Sequence, residues 1–405
     1  PWFSLFKFKK GDTEYGIGWL PLGGFVKISG MIDESMDTEQ MKLPPKPYEF
    51  RSKPAWQRLI VMLGGVSVNI VLAIFLYAMV AYFWGKDYVK NEDYTYGIEV
   101  LAEEIKGEDF FMNGDKILEV EGEKIDDLGE INKSILINQS KNFKIERNGE
   151  IRNVTISDQA IDFMLKNKIP AFIPQFPNRI DSVIENSIGS KIGLKTGDRI
   201  LSINNKDVVL FKNLIRALNS FKENEVDSFQ LRIKRGDEII PFSGEFDTSY
   251  KIGFQQSREL LTLFKPTHVS YSFAQSWPEG MRLGYNTLKD YIKQFQLIFT
   301  KTEALKQVGG FGTIAKIFPT EWDWKIFWSR TAFLSVILAF MNILPIPALD
   351  GGHAMFLIYE MISGRPPSDK FMEKAQLFGI LTLLTVMLLA NGNDVYKAIA
   401  EFINK

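Results

Sequence analysis

The groups able to do chemistry gather around one carboxylate. Between Thr331 and Gly364 the only formal charges are Asp350 and Glu360, with His353 beside them. The run Asn342-Ile343-Leu344-Pro345-Ile346-Pro347-Ala348-Leu349-Asp350-Gly351-Gly352-His353 holds two prolines and two glycines. Prolines remove backbone donors and block helix continuation, and glycines permit a sharp turn and close approach of another backbone. A helix is therefore expected to break here. A carboxylate beside irregular backbone at membrane depth is tolerated only inside protein or next to water, which makes Asp350 a functional polar site. On residue types alone it equally reads as the N-cap of a helix starting at Gly351. A metal transporter using Asp350, Glu360 and His353 would need a second polar helix, which the sequence lacks. With no cysteine and two histidines, His268 and His353, disulfides, thiolate zinc sites and cysteine nucleophiles are excluded.

The elements that must position this carboxylate are apolar and segregated. The 405 residues, roughly two to three domains, balance 48 Lys and Arg against 49 Asp and Glu, so no charge excess recommends nucleic acid. Residues 59–85 carry no formal charge, enough to cross a bilayer that needs about 20 apolar residues. Two further uncharged runs cover 331–349 and 375–393. Arg51, Lys53 and Arg58 precede the first span, and Arg365, Lys370 and Lys374 lie between the other two. The excess of basic residues places these segments, and residues 1–58, in the cytoplasm and makes 86–328 extracytoplasmic.

That long segment repeats itself. NGDKILEVEGEKI at 113–125 matches TGDRILSINNKDV at 196–208, an offset of 83, and KIERNGEI at 144–151 matches RIKRGDEI at 232–239. Short helical patterns follow at 128–135 and 211–218. The second copy, SVIENSIGSKIGLKTGDRILSINN, resembles a bacterial PDZ domain, and the first copy has a divergent start at 96–111. Domains of that kind add a peptide as a strand to a sheet edge; peptide binding and a spacer role both stand open here. After the repeats, Leu288, Ile292, Phe295 and Phe299 share a helix face opposite Lys289, Asp290 and Lys293, suited either to the membrane surface or to packing on the repeats.

NILPIPALDGGH resembles the Asn-x-x-Pro-x-Pro-x-Leu-Asp-Gly-Gly motif of the site-2 proteases, zinc metalloproteases that work inside membranes. The resemblance implies that Asp350 is the third protein ligand of a catalytic Zn2+, whose open fourth position holds the water that becomes the nucleophile. It further implies that Asn342 helps hold the substrate backbone and that Pro345 and Pro347 shape the break. PLGGFVKISGM at 21–31 is similar to a membrane-associated β-hairpin of the family, which implicates Gly23, Gly24 and Phe25 in substrate binding. Residues 14–19 and 24–28 themselves read as two strands joined at 21–23, with an edge free to take an unwound substrate. LGGVSVN at 63–69 resembles a Gly-Pro-x-x-Asn segment of the family, with Val66 in place of the proline and Asn69 retained as a substrate-binding candidate.

The fold class that results is a multi-pass α-helical membrane protein with tandem extracytoplasmic PDZ domains, themselves β-rich α+β, and a membrane-associated β-hairpin. Its order is the hairpin region at 1–58, a span at 59–85 and PDZ-like domains at 86–175 and 176–262. An amphipathic helix and linker at 263–328, a membrane helix bearing the motif at 329–364 and a last span at 375–393 follow. The resemblance implies an intramembrane zinc endopeptidase of the bacterial inner membrane. Its partners would be the lipid bilayer and single-pass membrane substrates, such as anti-sigma-factor-type proteins or remnant signal peptides, with peptides at the PDZ domains. The family's His-Glu-x-x-His, two zinc ligands and a general base, does not occur in this sequence: His268 lies in KPTHVS, and His353 has no histidine four residues away. The two histidine ligands are expected upstream of Pro1, which is not Met. The chain is thus expected to be incomplete at its N-terminus and inactive as written. The alternative is a non-catalytic membrane scaffold bearing PDZ domains.

Overall fold

The computed structural model describes residues 4–11, 13–18, 28–30, 44–257, 263–264, 266–301 and 308–403. The chain divides into two compact units, one of Pro1–Val71 with Ile337–Leu389 and the other of Leu72–Val336 with Ala390–Lys405.

In the first unit, β1 (Ser4–Lys10) and β2 (Thr13–Gly18) form an antiparallel hairpin. The register opposes Phe8 to Tyr15 and Phe6 to Ile17, and the intervening pairs Lys7 to Gly16 and Lys9 to Glu14. Because side chains alternate along a strand, one face is apolar and the other charged. The Phe8 and Tyr15 rings stack at 5.1 Å, Lys7 pairs with Glu14 at 2.8 Å, and both faces are exposed. The sequence predicts a strand at 14–19 paired with 24–28; here the strand Thr13–Gly18 pairs with the preceding Ser4–Lys10. Residues 19–27, and with them Gly23, Gly24 and Phe25, lie outside the described residues.

Helix α1 (Ala55–Trp84) is long and apolar enough to cross a membrane. Its last residues belong to the second unit, where β3 (Lys86–Tyr88) follows. Two copies of one sheet then appear. Strands β5 (Lys116–Val120), β6 (Glu123–Lys124), β7 (Asn142–Arg147) and β8 (Glu150–Thr155) assemble in the order β6-β5-β7-β8. Strands β11 (Arg199–Ile203), β12 (Lys206–Asp207), β13 (Ser228–Arg235) and β14 (Glu238–Glu245) repeat that order as β12-β11-β13-β14. Helices α2 (Leu128–Asn138) and α5 (Phe211–Glu223) cover the two sheets. The first copy also holds β4 (Ile98–Val100) paired with β9 (Phe172–Pro174) and helix α3 (Asp158–Asn167). The second holds β10 (Ile180–Val183) paired with β15 (Phe254–Gln256) and the short α4 (Ile188–Lys191). Each copy has its own core, in which Ile117, Val120 and Ile131 of one correspond to Ile200, Ile203 and Leu214 of the other.

The shared Gly-Asp explains why the repeat was conspicuous in sequence. Gly114 and Gly197 take φ of +100° and +92°, a conformation that glycine adopts without strain. The next residue in each copy is a buried aspartate. Asp115 receives both Nε and Nη2 of Arg147 at 2.8 Å, and Asp198 receives Nε and Nη2 of Arg235 at 2.8 and 2.7 Å. Both carboxylates also accept a backbone N–H, from Met112 and Lys195. A fork of this kind ties the entry of the first sheet strand to the end of the third.

Strand β16 (Thr267–Val269) pairs with β3. There Asp87 accepts from His268 at 2.7 Å and from Lys325 at 3.2 Å, and the His268 bond first of all holds the Asp87 carboxyl below its ordinary value. Helix α6 (Phe273–Thr300) starts in a capping box of Ser272 and Gln275. Its Gly280 lies against the backbone of α1 at Ile74 and Ala78, a closeness that a larger residue would forbid. The amphipathic stretch divides its contacts. Asp290 pairs with Lys133 and Lys293 bonds Asn138, both on α2, while Leu288 packs beside Ala73, Leu76 and Tyr77 of α1. Phe299 stays exposed. The short α7 (Phe311–Ala315) precedes α8 (Trp324–Ile343), and α9 (Asp350–Ser363) and α10 (Asp369–Ile403) complete the order. Within the stretch 329–364 the helix breaks where the prolines predict it, leaving two helices, because Pro345 and Pro347 cannot donate the bonds that continuation requires. With α1, α8 and α10 are long and apolar enough to span a bilayer.

The Asp115–Arg147 fork is more deeply buried than its counterpart, Arg147 being 8% exposed and Arg235 31%. Asp115→Asn should therefore destabilise the first copy by about 3 kcal/mol and Asp198→Asn the second by less. Hydrogen exchange of β5 and β11, read by mass spectrometry, measures both.

Candidate active site

The site belongs to the first unit and begins where α8 stops. Beyond Ile343 the chain turns through Leu344–Leu349 on short-range bonds, Ile346 N–H to Leu344 O at 2.7 Å and Leu349 N–H to Ile346 O at 3.0 Å. Ala348 is buried with φ of +87°, a left-handed conformation that costs a non-glycine residue of order 1 kcal/mol or more. The turn folds back on the first residues of α9. A Cβ on Gly351 would strike the carbonyls of Ile343 and Leu344, and one on Gly352 would lie 2.7 Å from Pro347 Cα. Gly379 of α10 meets the Pro347 carbonyl at the same place. Only residues without a side chain admit this packing, which is the physical content of the Gly-Gly after Asp350.

Asp350 is the first residue of α9, and Leu349 holds the N-cap position without a side-chain bond. The capping reading of Asp350 therefore fails by one residue. Its carboxylate is half-buried and accepts no hydrogen bond from any described residue, and Oδ2 lies 3.5 Å from where a Cβ on Gly65 of α1 would be. Farther along the same two helices Arg58 and Glu360 form an ion pair, their side chains 16% and 17% exposed. Arg58 also donates Nε to the Lys53 carbonyl at 2.9 Å. Arg58 near the start of α1 meets Glu360 near the end of α9, and Gly65 meets the start of α9, so the helices run antiparallel with Asp350 held between fixed points. Arg58, Gly65 and Asn69 recur at i, i+7 and i+11 and share one helix face.

The other expected residues are partly assembled. Asn342, in the last turn of α8, and Asn69 are half-buried; Pro345 is exposed in the turn and Pro347 is the residue against Gly379. The Asn342 amide has no hydrogen-bond partner among the described residues. His353 lies on α9 one turn after Asp350, whereas His268 belongs to the second unit at β16. Sequence reasoning missed Gly65 and Gly379 as points of close approach and the Arg58–Glu360 clamp. The lone Glu360 in an apolar stretch was the available signal, but its partner stands 302 residues away.

The description Peptidase family M50 matches residues 3–386. The chain belongs to Peptidase family M50. It is 26% identical to "Regulator of sigma E protease" of Haemophilus influenzae over 410 residues, covering 96% of this chain and 88% of that protein. It is 25% identical to "Regulator of sigma-E protease RseP" of Escherichia coli, covering 95% and 87%, and 27% identical to "Putative zinc metalloprotease" of Borreliella burgdorferi, covering 97% and 89%. These M50 relatives imply Zn2+. Asp350, a carboxylate left without a donor, suits a metal's oxygen ligand. Among the described residues, however, no three His, Cys, Asp or Glu side chains gather, so these residues do not complete a zinc centre that takes at least three protein ligands.

If the clamp sets the position of α9, Arg58→Glu should destabilise the protein in detergent by about 3 kcal/mol, because it buries two like charges together. The exchange Arg58→Glu with Glu360→Arg should restore most of the loss. Thermal unfolding of the single and double variants measures this.

Proposed function

We propose that the protein is an intramembrane zinc endopeptidase that cuts single-pass membrane proteins during regulated intramembrane proteolysis. Asp350 would be one zinc ligand, and the two histidines and the general base would come from a His-Glu-x-x-His segment that is not among these 405 residues. The observation that carries this reading is the Asp350 carboxylate, half-buried without a donor at a break between two apolar helices, in an M50 chain. A buried carboxylate stripped of hydrogen bonds is expensive unless a cation partners it. Zinc in such hydrolases polarises the scissile carbonyl and activates a water.

The chain's own residues have definable parts in this reading. A transmembrane helix must be unwound before its peptide bonds can be reached. The β1–β2 hairpin offers an apolar face, Phe6, Phe8, Tyr15 and Ile17, to the membrane and a strand edge to an extended substrate. Gly23, Gly24 and Phe25 would prolong that surface. The unpartnered Asn342 amide, with Asn69, would hold the substrate backbone, and Pro345 and Pro347 keep the turn open beside Asp350. The two repeated sheets would be PDZ domains on the extracytoplasmic side of the bacterial inner membrane, admitting only substrates already shortened there. Anti-sigma-factor-type proteins and remnant signal peptides are the substrate classes proposed.

The test is cleavage of a shortened single-pass substrate in liposomes by the protein carrying its His-Glu-x-x-His helix. Asp350→Asn should lower turnover at least about 100-fold and reduce bound zinc, and Asn342→Ala should lower kcat/KM about tenfold with zinc retained. Unchanged cleavage by Asp350→Asn would refute the assignment, and absence of cleavage and of zinc in the parent protein would favour the scaffold.

A further inference from the structure

Within the second unit, the first turns of α8 carry an arginine without a counterion. Arg330 immediately precedes the uncharged run 331–349, so it stands where the hydrocarbon of a bilayer would begin. The residue is exposed, and its guanidinium has no ion-pair or hydrogen-bond partner among the described residues. The other basic residue of α8, Lys325, donates to Asp87 at 3.2 Å. Of the two carboxylates just ahead of the helix, Asp323 accepts the Ile326 N–H at 2.7 Å, and Glu321 is exposed. An arginine at the edge of hydrocarbon is costly unless its head reaches an anion or water.

The surroundings favour a lipid as the source of that anion. Ala332 and Val336 of α8 pack with Ala73, Leu76 and Tyr77 of α1. At 3.6 residues per turn Arg330 falls on the opposite face of α8, in one row with Ile326 and Leu334. Phe327 lies one turn before Arg330, and the Trp322 ring is 4.9 Å from that of Phe327 and 5.0 Å from that of Trp324. Trp322 and Trp324 are 65% and 54% exposed, and indole rings favour the headgroup level of a bilayer. Aromatic faces and the Glu321 carboxylate attract a cation, whereas Arg330, about 9 Å farther along the axis than Trp324, attracts an anion. This order of charge is complementary to a headgroup whose ammonium lies outside its phosphate.

We propose that this face of α8 binds a phospholipid with an ammonium headgroup. The phosphate sits on the Arg330 guanidinium, the ammonium among the Trp322 and Trp324 rings beside Glu321, and an acyl chain along Leu334. The proposal rests on α8 spanning a bilayer. It does not depend on Asp350 or on zinc, and its test requires no cleavage.

The experiment uses the full chain in detergent and native mass spectrometry with three lipids of the same acyl chains: phosphatidylethanolamine, phosphatidylglycerol and diacylglycerol. Phosphatidylethanolamine should be retained about tenfold more than diacylglycerol, which lacks the phosphate, and about threefold more than phosphatidylglycerol, which lacks the ammonium. Arg330→Gln should bring both phospholipids to the level of diacylglycerol, and Arg330→Lys should keep part of the difference. Trp322→Leu together with Glu321→Gln should remove the preference between the two phospholipids and leave both above diacylglycerol. Equal retention of diacylglycerol, a preference for phosphatidylglycerol, or a phosphate preference that survives Arg330→Gln overturns the proposal. Should Arg330→Gln fail to fold, the Trp322 and Glu321 double variant decides, and an unchanged preference for phosphatidylethanolamine then overturns it.

Discussion

The structure turns on a six-residue interruption in apolar helix. A membrane offers the backbone no water, so a helix that stops must have its groups satisfied by protein or must lie beside a polar space. Residues 344–349 meet this constraint partly by composition, since two prolines have no N–H to satisfy, and partly by short-range bonds. The remaining demand is steric. Gly351, Gly352 and Gly379 let the turn, the start of α9 and α10 approach more closely than side chains allow. Asp350 follows as a consequence. It stands at the first residue after the interruption, where the packing leaves its carboxylate without a donor.

Two features of α1 hold that carboxylate in place. Gly65 lets α1 come against it, and the Arg58–Glu360 pair ties the other end of α9 to the same helix. A partly buried ion pair contributes little net stability over an apolar pair, but it fixes which surfaces meet, because either charge left alone is costly. In the second unit the same logic appears twice as a buried Asp–Arg fork, once in each repeated sheet. There it secures strand order instead of a site. At the junction of the two sheets the pairing is looser, the Lys212 Nζ lying 3.7 Å from Glu99 Oε1.

What was legible in the sequence is what depends on neighbours along the chain. The interruption was visible because proline and glycine act locally, and the apolar helices because composition alone decides their solvent. The two sheets were visible because the Gly-Asp turn recurs at an offset of 83 and the strand endings Arg147 and Arg235 at one of 88. What was not legible depends on distant partners. Nothing near Glu360 points to Arg58, and nothing near Gly379 announces the Pro347 carbonyl. The hairpin shows the same limit: residues 14–18 read correctly as a strand, but β-pairing has no sequence signature as strong as alternation, and the partner Ser4–Lys10 was not foreseen, while residues 24–27 of the expected partner lie outside the described residues. Helix α6 was amphipathic without naming its neighbour, and its charged side turned out to face α2.

The central claim is that the helix interruption presents the Asp350 carboxylate to a metal. Zinc K-edge X-ray absorption of the purified protein, carrying its His-Glu-x-x-His helix, tests it most directly. The account predicts a low-coordinate nitrogen and oxygen shell with a carboxylate oxygen at about 2.0–2.2 Å, altered by Asp350→Asn. A spectrum that is the same with and without the Asp350 carboxylate would contradict it.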